Sequence, residues 1–378
     1  MSLLFNGVYL DREGTADSLN RLIQQALSEG AQGLLILSAD ENPISKEEYN
    51  HILGQLDLPV AGGIFPRIIF QDECLAVGHL VCALDVEPEI LLCESLSSNI
   101  HSIDQLLSKR FRDASNKNNY LLFLDGLSPA IDYVVERTYY HLGSEATVIG
   151  GGSGSASLKK NPCIFTNDGL REDAALFISV SANLKINLSS GWQKALGPYL
   201  VTSAEGNVIH TLNYQPAFDV YRDAIASITQ HVVSAEDFCN YAIDFPIGME
   251  SGDGEAIIRD PIQVNGSSLL CVGSVPQYSM VHIMKATTKE LIDSVTHMAQ
   301  NISSNNHSQY VIVFDCVSRM FCLRDRFTQE ISSIKNSVNA NAQVIGALTL
   351  GEIASSPNGS IQLHNKATVV GTSEGVSL

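Results

Sequence analysis

Paired cysteines, basic runs, long apolar stretches and tryptophan are missing or scarce in this sequence, and each absence removes a class of protein. None of the eight cysteines forms a Cys-x-x-Cys pair, so neither a zinc ribbon nor covalent attachment of a c-type haem is written here. Most lie alone within apolar runs, where a free thiol behaves as a small buried hydrophobe, and a reducing compartment is the expectation. An Fe–S cluster on some of them stays open as an alternative, although no ligand spacing supports it. Lys and Arg number 23 against 41 Asp and Glu, and no basic run offsets the net charge of −18, which argues against nucleic acid and anionic membranes as partners. No apolar stretch approaches the ~20 residues needed to span a bilayer. The N-terminal Met1-Ser2-Leu3-Leu4-Phe5-Asn6 lacks the basic region and apolar core of a signal peptide, so a cytoplasmic protein is expected.

The 378 residues are 45% hydrophobic and 17% charged, which suits a folded chain too long for one ordinary core. Trp192 is the only tryptophan, whereas 28 glycines point to turns and strands more than to long helices. The glycines are not scattered. Gly62-Gly63, Gly150-Gly151-Gly152-Ser153-Gly154 and Gly346-Ala347 each follow a short β-branched run. About 25 to 30 residues before each lies an apolar run of buried-strand type: Leu34-Leu35-Ile36-Leu37, Leu121-Leu122-Phe123-Leu124 and Val311-Ile312-Val313-Phe314. Helical segments such as Ile131–Leu142 lie between. The reading is an α/β fold of mixed sheets with packed helices, in two related domains. It is built on a strand-helix-strand-glycine-loop unit used three times, with the three loops gathered on one side.

Residues 15–29 carry apolar groups at helical spacing, with Thr15 or Asp17 as cap. Asn167-Asp168-Gly169 and Asn265-Gly266 read as turns between strands. Pro216 stands at the start of a helix, and the boundary is placed near Gln215, giving domains 1–215 and 216–378. A further helix is expected from Ala235 to Asn240.

Candidate chemistry is sparse. Gly150, Gly151, Gly152 and Ser153 could bring backbone N–H groups to a ligand, yet no Lys-Ser/Thr follows in P-loop register and the dinucleotide fingerprint fails at Ser155. The same loop misses the Gly-x-Ser-x-Gly nucleophile elbow by one register, so a hydrolase or transferase using Ser153 or a cysteine is an alternative and a non-enzyme is the main expectation. Arg259 and Arg319 are charges among strand residues, suited to an internal ion pair or to a ligand carboxylate. Glu352 follows the third glycine segment and could face the same cavity. His79, His210, His282 and His364 sit in apolar strands, and one neutral imidazole in an apolar pocket suffices to hold haem b.

Several segments together resemble FIST-domain sensory proteins, with an N-terminal and a C-terminal FIST half. They are Ile149-Gly150-Gly151-Gly152-Ser153-Gly154-Ser155, Phe245-Pro246-Ile247-Gly248, Ile258-Arg259-Asp260-Pro261-Ile262, Val275-Pro276-Gln277 and Phe314-Asp315-Cys316-Val317-Ser318-Arg319. Gly346-Ala347-Leu348-Thr349-Leu350-Gly351-Glu352-Ile353-Ala354 and Leu363-His364-Asn365-Lys366-Ala367-Thr368 complete the set, so the likeness spans residues 30 to 370. Gln277 and Tyr278 depart from it, where the family has an acid and a glycine. The resemblance implies a small-molecule sensor. With no effector domain beside the two halves, it is similar to the stand-alone nitric-oxide-sensing FIST haemoproteins. Haem b as cofactor, and a sensor histidine kinase or a diguanylate cyclase or phosphodiesterase as partner in trans, follow as expectations, with a homodimer possible. The alternative within the family is a sensor of a small metabolite such as an amino acid, its carboxylate paired by Arg259 or Arg319.

Overall fold

The computed structural model describes residues 5–111, 119–180, 182–250, 256–303 and 308–373; Met1 to Leu4 of the N-terminal segment read above lie outside them. The first unit runs β1 (Phe5–Asp11), α1 (Ala16–Ser28), β2 (Gly33–Ala39), α2 (Lys46–Leu53) and β3 (Val60–Phe65), then a hairpin of β4 (Arg67–Phe70) and β5 (Glu73–Leu75), then β6 (His79–Leu84). Thr15 caps α1 and Ser45 caps α2, each in a reciprocal capping box.

The second unit repeats the order: β7 (Ile90–Cys93), α3 (Ile100–Phe111), β8 (Asn119–Asp125), α4 (Ile131–Leu142), β9 (Thr147–Ser153), the hairpin β10 (Ile164–Thr166) and β11 (Gly169–Arg171), and β12 (Ala175–Ser179). The third unit opens with β13 (Leu184–Ser189). An inserted module interrupts it: β14 (Gln193–Glu205), β15 (Val208–Leu212), β16 (Gln215–Pro216), α5 (Ala217–Thr229), α6 (Phe238–Ala242), β17 (Ile247–Glu250), β18 (Ala256–Asn265), β19 (Ser268–Val272) and β20 (Met280–Lys285). The unit then resumes with α7 (Thr288–Ser303), β21 (Tyr310–Cys316), α8 (Val317–Leu323), α9 (Phe327–Ser337), β22 (Gln343–Thr349), the hairpin β23 (Glu352–Ser355) and β24 (Ile361–His364), and β25 (Thr368–Ser373). Thus α6 begins three residues after the expected Ala235 and ends two after the expected Asn240, and the boundary expected near Gln215 falls inside the insertion, at β16.

Each unit builds a sheet around one parallel pair, β2 with β3, β8 with β9 and β21 with β22. The hairpin that follows each pair leaves its own sheet. β4 of the first unit pairs with β22 of the third, β10 of the second with β3 of the first, and β23 of the third with β9 of the second. The exchange closes a ring, and the three six-stranded sheets have the same order: β1-β6-β2-β3-β10-β11, β7-β12-β8-β9-β23-β24 and β13-β25-β21-β22-β4-β5.

The strands β2, β8 and β21 are buried almost throughout because both faces are covered, which explains their unbroken apolar runs. Alternate residues face opposite ways. Leu35, Leu37, Leu121, Phe123, Ile312 and Phe314 enter one central core shared by all three sheets, while Leu34 and Ile36, Leu122 and Leu124, and Val311 and Val313 face separate outer cores. Phe65, Phe123 and Phe314 meet edge to face at the centre, with centroids 5.2 and 5.6 Å apart.

The glycine segments correct one expectation. Gly62, Gly150 and Gly346 lie within β3, β9 and β22, not in loops beyond them. Each stands opposite the middle of its parallel neighbour, at Ile36, Leu122 and Val313, and opposite the exchanged hairpin on its other side, at Phe165, Ile353 and Ile69. A Cβ at any of the three would run into the carbonyl oxygen of the parallel neighbour. Close strand approach, not ligand access, selects glycine here.

Candidate functional site

The inserted module meets the three-unit trunk along a seam rich in buried charge. Its seven-stranded sheet, in the order β14-β20-β17-β18-β19-β15-β16, presents Arg259 and Asp260 from β18. The trunk answers with the turn between β24 and β25, where Asn365 and Lys366 lie. Arg259 donates from Nε to the Ser274 carbonyl and from Nη1 to the carbonyls of Ile258 and Leu363. Asn365 Nδ2 donates to the carbonyls of Ile258 and Val272. Lys366 is fully buried; its Nζ donates to the Ile243 carbonyl at 3.0 Å and lies 3.3 Å from Asp260 Oδ2, which also accepts from Ser318 Oγ at 2.6 Å. The sequence reading placed Arg259 and Asp260 at this kind of position but assigned no role to Lys366, Asn365 or Ser318. The signal was a lysine in a short turn with apolar flanks.

Behind the seam Arg319 is enclosed completely. Nε and Nη2 donate to the two oxygens of Glu330, Nη1 to the carbonyls of Ser190 and Lys366, and Nη2 also to that of Leu291. All five donors are used within the chain, which leaves none for a ligand carboxylate. Arg259 is buried as well, with Nε and Nη1 on three backbone carbonyls, whereas every donor of Arg319 is committed to a backbone carbonyl or an internal acid.

Glu352 is also sealed rather than facing a cavity. Its Oε1 lies 2.7 Å from Thr349 Oγ1, and Oε2 accepts from the Ala367 N–H. Burial pushes its carboxyl up to about 8, and burial with Glu330 nearby pushes Asp315 well above the carboxylate range. The protonated form suits Glu352 chemically, because Thr349 Oγ1 can accept from it while donating to the Asp315 carbonyl at 3.4 Å.

Two cavities flank the seam. The larger, about 480 Å³, is walled by β13, the start of β18, α7 and β24, with Ile186, Leu188, Met298, Asn187, Gln362 and His364 among its lining. The smaller, about 240 Å³, lies at the C-terminal ends of β8 and β21 beneath α6 and β18. Asn365 lines both.

Of the four histidines expected as haem ligands, only His364 lines either cavity. His79 is fully buried, bonded through Nδ1 to Ser38 Oγ at 2.9 Å, and burial lowers it to about 4. His210 Nδ1 pairs with Ser268 Oγ, and His282 Nε2 pairs with Glu250 Oε1, each at 2.9 Å. Gly150, Gly151 and Gly152 line neither cavity. Ser153 Oγ is buried beside Gly63 with no hydrogen-bond partner among the described residues, so no base stands ready to activate it. No group of His, Cys, Asp or Glu able to hold a metal ion occurs among the described residues. No helix among them is long and apolar enough to cross a membrane.

Two concave sites with uncharged or internally neutralised linings thus lie at the joint between the trunk and the inserted module of this α/β protein. Its family follows from comparison: a profile described as the FIST N domain matches residues 31–215 and one described as the FIST C domain matches residues 217–355, so the chain belongs to the FIST family. FIST domains are sensory ligand-binding domains. A search of curated proteins gives no match.

Proposed function

We propose that this chain is a sensor that signals by occupancy, and that haem b in the larger cavity, reporting nitric oxide, is the ligand system it reads. The observation that supports this reading is His364, the one expected histidine on a cavity wall, in a space of about 480 Å³ that falls within the ~300–1,000 Å³ of ligand sites. His364 would hold the iron, and Ile186, Leu188, Ile258 and Met298 would flank the ring. No Lys or Arg lines the space among the described residues, so the haem propionates would point to its open side. The haem supplies the iron that binds nitric oxide; the chain supplies the imidazole, the apolar walls and the seam beside them. Output passes in trans to a sensor histidine kinase or a cyclic-dinucleotide enzyme.

Titration with haemin tests it. A stoichiometric Soret band that shifts when the reduced protein meets nitric oxide is the expected result, lost in His364→Ala and kept in His79→Asn, His210→Ala and His282→Ala. Loose haem alone, or a band indifferent to His364, would sink the reading. A second reading, an uncharged polar metabolite in the same cavity, draws on the side-chain amides of Asn187, Asn301 and Gln362 in its lining. A thermal-shift screen that raises Tm without haem would favour it.

A further inference from the structure

The smaller cavity is independent of His364 and has its own polar fixture. We propose that it is a second ligand site, taking a small uncharged molecule with an apolar body and one hydroxyl, which donates to Asp260 Oδ1.

Four observations combine. The cavity opens at the C-terminal ends of β8 and β21, where open α/β sheets place ligands because the strand ends and following loops leave a crevice there. Its walls are mostly apolar, including Leu127, Ile243, Pro261, Val317, Phe321 and Leu350. At about 240 Å³ it is smaller than the ~300–1,000 Å³ of drug-sized sites, which limits the ligand to a few carbons or one ring. Asp260 supplies the polar end. Its Oδ2 is held by Ser318 and Lys366, whereas its Oδ1 accepts no hydrogen bond among the described residues, and Asp260 is one of the residues that line the cavity.

Charge selects against ions. Lys366, fully buried, and Asp260, nearly so, already balance each other's charge, so an ammonium would meet Lys366 and a carboxylate would meet Asp260, each at a desolvation cost. A neutral hydroxyl donates to the bare oxygen without upsetting that balance, and hydrogen bonds to charged acceptors are the stronger kind.

The probes are p-cresol, toluene, benzylamine and benzoate, titrated calorimetrically. Cys239, exposed and also on the cavity wall, reports occupancy through its rate of reaction with a maleimide. p-Cresol is expected to bind roughly tenfold or more tighter than toluene and to slow labelling of Cys239, with benzylamine and benzoate inert. Ile262→Trp, at a half-exposed position on the mouth, should abolish both effects without touching the core. Asp260→Asn, checked for native circular dichroism, should reduce the cresol-to-toluene ratio. Equal affinity for cresol and toluene, tighter binding of either ion, or binding unmoved by Ile262→Trp would overturn the proposal.

Discussion

Arg319 and Glu330 face each other with no solvent on either side, joined by two parallel bonds, Nε to Oε1 at 2.9 Å and Nη2 to Oε2 at 2.5 Å. Asp315 Oδ1 lies 3.5 Å from the same guanidinium, and the carbonyls of Ser190 and Lys366 tie it to the residue just after β13 and to the seam. The pair is a pin through the third unit. Removing one partner leaves a buried charge, so Arg319→Met or Glu330→Gln should lower unfolding stability by roughly 3–5 kcal/mol in urea titrations. A loss of ligand affinity at unchanged stability would instead restore Arg319 as a binding residue.

The three buried glycines should behave alike. Gly62→Ala, Gly150→Ala and Gly346→Ala each drive a methyl into a neighbouring strand's carbonyl, and each should yield insoluble protein or a cost of at least ~2–3 kcal/mol. A tolerated Gly150→Ala would mean that β8 and β9 are not held at the spacing seen here.

The hairpin exchange makes the halves interdependent. The third sheet takes β13, β4 and β5 from before residue 216 and β21, β22 and β25 from after it. A fragment of residues 1–215 therefore leaves β13 and the β4–β5 hairpin without partners, strips β23 from the edge of β9, and should lack a cooperative melt. Mixing it with residues 216–378 should restore one. A sharp, independent transition in the first fragment would contradict the exchange.

Stability should respond to pH through two groups of opposite sign. Glu352, raised in the folded protein to about 8, holds its proton where the unfolded carboxyl has lost it, so its contribution is full below about 4.5 and fades as pH rises through 8. His79, lowered to about 4, stays neutral where the unfolded imidazole is charged, so its contribution is present above about 6.5 and fades as pH falls through 4. Thermal melts from pH 4 to 9 should show Glu352→Gln flattening the alkaline fall and His79→Asn flattening the acid one. Unchanged slopes in both variants would refute the assignment.

The thiols should separate sharply. Cys239 is exposed, whereas burial pushes Cys74 up to about 12 and Cys322 up to about 11, and the other five are buried. One fast-reacting thiol per chain is expected with a maleimide at pH 7, and eight after denaturation.

What the sequence determined by itself is local and periodic. The apolar runs at Leu34, Leu121 and Val311 specified buried strands because a strand covered on both faces needs no polar alternation. The capped helices and the turn at Asn167-Asp168-Gly169 followed from side chains that bond the backbone beside them. Threefold use of one unit, and glycine at one position in each, were visible for the same reason. What only the tertiary structure decided is pairing across distance. Nothing in the period of β4 says that its partner is β22, nearly 280 residues on, because side-chain alternation fixes which face is buried and not which edge is met. Whether Gly150 serves a ligand or a neighbouring carbonyl, and whether Arg319 meets Glu330 or a ligand, depended on that same pairing. A charge or a missing Cβ acquires its meaning from the atoms brought against it, and those atoms come from remote parts of the chain.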